Sequence, residues 1–126
     1  MDMIRQVGAE VITVHIEGIG GTEEIEGRAI VFTGDALDDG TPICEIVTTA
    51  GAAFDAIGLY AGDTPDTYAV AIGGIVAAGQ DGSIEDASYQ LVGADGTGGI
   101  KAVTEGGRPV SVLRAIPDAH AAIIKF

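Results

Sequence analysis

The chain has no tryptophan, one cysteine, four prolines and only six basic residues in 126. With Cys44 alone, no disulfide forms within the chain. A single Cys inside Ile43-Cys44-Glu45-Ile46 reads as a small buried hydrophobe. Six Lys and Arg against nineteen Asp and Glu give a net charge of −13. That balance argues against nucleic acid or an anionic membrane as partner, since both require phosphate neutralised by basic side chains. No apolar run approaches the roughly 18 residues of a membrane span, and MDMIRQVGAEVITV lacks the basic and then apolar order of a secretory signal. A soluble product made in the cytosol is expected. The six aromatic residues, Phe32, Phe54, Tyr60, Tyr68, Tyr89 and Phe126, are easily absorbed by a core, so an aromatic platform for sugars has no support.

What the chain does have is glycine, 20 residues of it, set between short runs of β-branched and aliphatic residues. From 72 to 126 such runs are split by Asp81-Gly82, Asp95-Gly96 and Gly106-Gly107. Asp-Gly pairs suit two-residue hairpin turns, because Gly takes the positive φ at no steric cost. Period-two runs predict strands over 11–16 (VITVHI), 28–33 (RAIVFT), 42–49 (PICEIVTT) and 53–61 (AFDAIGLYA). Further strands are predicted over 68–72 continuing through 75–77, and over 89–92, 100–103, 110–115 and 121–126. A bulge is expected at Gly73-Gly74. The pair 42–49 and 53–61 suggests a hairpin, with a short helix over 50–57 as its competitor. The acidic stretch 22–27 (TEEIEG) reads as a solvated loop.

Strands spaced by roughly 8–12 residues predict an all-β fold, a small β-sandwich or barrel. Residues 1–10 form an extended N-terminal arm and 11–126 a single β domain. The expected core contains Val14, Ile30, Phe32, Ile46, Val70, Ile72, Leu91, Val112 and Ile124. A faint internal echo links Gly34-Asp35-Ala36, Gly40-Thr41-Pro42 and Ile57-Gly58-Leu59 to Asp86-Ala87-Ser88, Gly96-Thr97 and Val110-Ser111-Val112. It is read as reuse of hairpin grammar.

Chemistry has no visible constellation. His15 and His120 stand far apart and lack the further ligands of a metal site. Asp38-Asp39, Asp81 and Asp95 neighbour glycines but do not follow the twelve-residue calcium pattern. No glycine cluster leads into Lys-Ser/Thr and a helix, and Ser83, Ser88 and Ser111 have no elbow motif or adjacent base. No catalytic residue, cofactor or metal is expected. Charge is uneven: residues 1–86 carry 16 acids and 2 bases, residues 87–126 carry 3 acids and 4 bases. The acidic part suits solvent, the neutral part a partner.

Gly74-Ile75-Val76, the turn over 79–84, the run 87–92, Ala94-Asp95-Gly96, 100–104, 107–113 and the closing 121–126 follow in an order that resembles the small capsid decoration, or cement, proteins of tailed viruses. Ser111 stands where that family commonly has Gly. The resemblance spans residues 72–126. It implies a β-tulip-like or sandwich module that forms a homotrimer on the outside of the virion head and clamps neighbouring major capsid protein subunits, without catalysis. Arg108, Arg114 and Lys125 are then candidates for pairing with acidic capsid groups. The arm, with apolar Met1, Met3, Ile4 and Val7 beside Arg5, is a second candidate contact. Two other classes stay open: a small β-barrel binding or adhesin-like module for a peptide or glycan, and a subunit of an enzyme whose active groups lie on another chain.

Overall fold

The computed structural model describes residues 9–85 and 90–126. The alternating runs become nine strands: β1 (Ala9–His15), β2 (Ala29–Ala36), β3 (Pro42–Ile46), β4 (Ala56–Ala61), β5 (Thr67–Gly79), β6 (Gln90–Ala94), β7 (Ile100–Ala102), β8 (Arg108–Ile116) and β9 (Ala121–Lys125). One helical turn, α1 (Thr22–Ile25), and a 3-10 turn at Pro117–Ala119 complete the described elements. The fold is all-β, as the sequence predicts. Strands β1, β3, β2, β4 and β5 pair in that order, and β5 returns to β1, closing a five-stranded barrel. Beyond it, β9, β8, β6 and β7 extend from the far half of β5 as an outer sheet.

The hinge between the two parts lies where a bulge was expected. Glu10 pairs with Gly73 but Val11 with Ala71, so β5 carries one extra residue, Ile72, and Gly74, two residues on, sits at φ 77°. A bulge bends a strand and sharpens its twist, which lets β5 leave the barrel wall and continue as the first strand of the outer sheet.

Two apolar clusters follow from this bend. Val14, Ile16, Ile25, Ile30, Cys44, Ala56, Tyr68 and Val70 fill the barrel. The second cluster lies between the outside of the barrel (Ile57, Leu59, Ala69, Ala71) and the inner face of the outer sheet (Val76, Val92, Val110, Val112, Ile124). Of the expected core, Val14, Ile30, Val70, Val112 and Ile124 are buried, and Phe32, Ile46 and Ile72 are half-buried against the barrel cluster. Leu91 is half-buried, because its neighbour Val92 takes the inward position.

Several local expectations are corrected. The runs at 42–49 and 53–61 do not pair: β3 and β4 lie on opposite sides of β2. The connection between them crosses the end of β2, where Val47 N–H donates to Ala29 O at 2.9 Å. The stretch 22–27 is not a solvated loop. α1 seals the barrel with Ile25, which is fully buried, and its backbone lies so close to β4 that a Cβ on Gly58 would collide with the Ile25 carbonyl. Asp81-Gly82 makes no hairpin, since β5 pairs with β9 and not with β6. In the three Asp-Gly-Ser/Thr sequences, a carboxylate oxygen of Asp39, Asp81 or Asp95 accepts from the backbone N–H two residues on. These are Asx turns.

Of the internal echo, Asp86-Ala87-Ser88 lies outside the described residues, and the connectivity of the described strands repeats as well. In the barrel, β2–β3 and β4–β5 are hairpins, β2 pairs with β4, and β1 meets β5 antiparallel and β3 in a parallel bridge. In the outer part, β6–β7 and β8–β9 are hairpins, β6 pairs with β8, and the far half of β5 meets β9 antiparallel. There, among the described residues, the isolated parallel bridge Gln80–Ile100 completes the ring. Hairpins β4–β5 and β8–β9 share a register shift, at Gly58/Tyr60 and at Val112/Arg114. Among the described residues, only Asp66 and His120 combine positive φ with a side chain, and they occupy the same place in these two hairpins. Ile16 N–H donates to Asp66 O and Gln80 N–H to His120 O, at 2.9 and 3.0 Å.

Candidate interaction surface

The repeated connectivity gives corresponding faces different fates. The barrel's outer face, with Ile57, Leu59, Ala69 and Ala71, is buried under the outer sheet. In the second hairpin the matching positions are Ser111, Leu113, Ile123 and Lys125. Lys125 pairs with Ser111 and Arg114 with Ile123, so these four side chains share one face of the β8–β9 pair. Leu113 occupies the shifted position between Val112 and Arg114 and is 53% exposed, whereas Leu59 is 1% exposed. Arg114 and Lys125 are exposed, and Ile75 and Ala77 of β5, paired with Lys125 and Ile123, extend the face. Ile123 is itself buried, so Leu113, exposed and flanked by two cations, is what this face presents to solvent on an otherwise acidic protein.

Arg108 belongs to a different arrangement. It opens β8 opposite Val92, half-buried, with its guanidinium 4.5 Å from the centre of the Phe126 ring. Its Nη1 points at the carbonyls of Phe54 and Asp55, at 3.5 and 3.4 Å. The rings of Phe54 and Phe126 meet edge to face at 6.4 Å. Arg108 thus ties the chain's last residue to the segment leading into β4. Met1, Met3, Ile4, Arg5 and Val7 lie outside the described residues.

Groups that could carry chemistry are occupied or dispersed. Cys44 is buried in the barrel, and burial, followed by the nearby Asp55 carboxylate, pushes its thiol up to about 11. A thiol held in its protonated form is a poor nucleophile and metal ligand. Burial, followed by the charges of Asp66 and Glu24, also raises the Tyr68 phenol, whose O–H donates to Ile19 O at 2.8 Å. His15 lies 3.4 Å from Glu17, and His120 Nδ1 is 3.2 Å from Gln80 O. Gln80 is buried and satisfied, its amide donating to Ala121 O at 2.7 Å and accepting from Ile84 N–H at 2.8 Å. Among the described residues, no group of three or more His, Cys, Asp or Glu is arranged to hold a metal ion.

Sequence reasoning singled out the charges of this face and missed Leu113 and Ile123. The signal was present: in Val110-Ser111-Val112-Leu113-Arg114 two apolar residues stand side by side, which breaks period two and marks a shifted strand. Compared with protein-family models, curated proteins and solved structures, the chain matches none.

Proposed function

We propose that the chain is a decoration protein of a tailed-virus head, a virion component carried as a homotrimer on the outer capsid surface, where it bridges major capsid protein subunits. The observation that carries this reading is the outer face of β8 and β9, which lies in the segment bearing the family resemblance. There the exposed Leu113, with Arg114 and Lys125 beside it and Ile123 buried beneath, forms an apolar and cationic contact on a protein of net charge −13. Such a face suits an acidic protein surface. The barrel's acids keep the rest of each particle solvated and mutually repelled.

The mechanism is linkage without chemistry. A protein that binds the assembled shell but not free subunits contributes RT ln(1 + [L]/Kd) per site, about 2.7 kcal/mol at 100 times Kd. Repeated over a shell, that sum resists rupture. The reading requires no cofactor, nucleic acid or membrane. Co-sedimentation of the purified chain with assembled shells, and in parallel with unassembled capsid protein, tests it. Saturable binding to shells alone is expected. Equal binding to both, or to neither, would overturn it.

A further inference from the structure

We infer that the β8–β9 face receives the β2–β3 hairpin tip of a second copy of this chain, in a head-to-tail contact. This rests on the homotrimer proposed above and deepens it: the acidic protein surface that the face suits is that of the next copy of the chain. Three observations carry it. First, the corresponding face on the barrel is buried under the next set of strands in the same chain, while the β8–β9 face ends the series with Leu113 uncovered. Second, the β2–β3 tip has the inverse character. Leu37 is 38% exposed at its apex, and the exposed acids Asp35, Asp38 and Asp39 surround it, where Leu113 is flanked by Arg114 and Lys125. Third, the tip is built rigidly. Leu37 N–H donates to Thr41 O and Gly40 N–H to Leu37 O, both at 2.9 Å, and an Asp39 carboxylate oxygen accepts from Thr41 N–H at 2.9 Å. A preorganised tip loses little entropy on docking.

Tip and face lie on different parts of the molecule, so the contact is heterologous. Repeated, such a contact closes into a ring or runs on as a filament, according to its rotation. One tip on one sheet face covers less than the roughly 1,200 Å² of a stable complex. A single contact is therefore weak, and ring closure strengthens it by making the last contact intramolecular. Opposed charges add salt dependence.

Sedimentation equilibrium on the full chain up to millimolar concentration, in low salt and in about 1 M NaCl, tests this without any shell. Concentration-dependent association is expected, weakened at least about tenfold by high salt. R114E/K125E and D35K/D38K should each weaken it about tenfold or more, and mixing the two variants should restore association, because the tip of each then meets opposite charge on the face of the other. L113S and L37S, both at exposed positions, test the apolar part without reversing charge. Circular dichroism checks that each variant keeps the wild-type fold. A wild-type chain that stays monomeric at millimolar concentration would overturn the inference, as would association that none of these substitutions alters. Either result leaves the shell-binding experiment to stand on its own outcome.

Discussion

Replacing Ile25 by alanine tests the least expected feature of the fold. Three acids surround it in Glu23-Glu24-Ile25-Glu26, yet it is fully buried at the end of the barrel. Ile→Ala removes three carbons, about 2.4 kcal/mol at roughly 0.8 kcal/mol each. The cavity adds to this wherever the walls cannot collapse, and large-to-small changes of this kind cost about 2–5 kcal/mol. The barrel wall is a hydrogen-bonded ring and α1 already touches Gly58, so little collapse is available. A loss of about 3 kcal/mol is expected. With a urea m-value of about 1.5 kcal/mol/M, the midpoint falls by about 2 M at unchanged slope. The chain has no tryptophan, so tyrosine fluorescence and far-ultraviolet circular dichroism report the transition. Glu23→Ala, one turn position away and exposed, should stay within about 0.5 kcal/mol of wild type. Equal midpoints for I25A and E23A would refute the packing of α1 on the barrel.

Arg108→Ala should cost about 1–3 kcal/mol in the same assay, from the cation–π contact and the two carbonyl contacts it loses, with Arg108→Lys recovering only part. An R108A chain as stable as wild type would remove the clamp. Asp95→Ala should cost about 1–3 kcal/mol, because one carboxylate oxygen accepts from Thr97 N–H, Thr97 O–H and Gly99 N–H at 2.7, 2.9 and 3.1 Å, and unchanged stability would show these bonds to be without net worth. The folded Cys44 thiol titrates at about 11 against 9.0 unfolded, so its contribution is complete below pH 9 and drains away between pH 9 and 11 as the unfolded chain alone loses the proton. C44A should flatten that part of the stability curve, and an unchanged alkaline slope in denaturant titrations would contradict it. Deleting residues 1–8 should leave the unfolding transition intact and weaken shell binding, and undiminished occupancy after the deletion would exclude the arm as a contact.

How far the sequence revealed this molecule depends on the range of the interaction. Strands set by local alternation, such as 11–16 and 121–126, appear within a residue or two of the observed β1 and β9. The bulge beside Gly73-Gly74 was legible because glycine pairs inside a strand mark such a shift. What failed was pairing at a distance. That β2 separates β3 from β4 is decided by the barrel's closure, and nothing in residues 42–61 records it. Ile25 was hidden by its acidic neighbours, since one helical turn is too short to display a period. On the interaction face, the cations Arg114 and Lys125 were legible as residues, but their sharing one surface with Leu113 and Ile123 depends on the β8–β9 register.

The most direct measurement of the proposed role is the rupture temperature of shells assembled from the cognate major capsid protein, with and without the saturating chain, in identical salt. A decorated shell should rupture at the higher temperature, and the gain should scale with occupancy, because each filled site adds the same linkage term. Equal rupture temperatures at full occupancy would contradict a cement role.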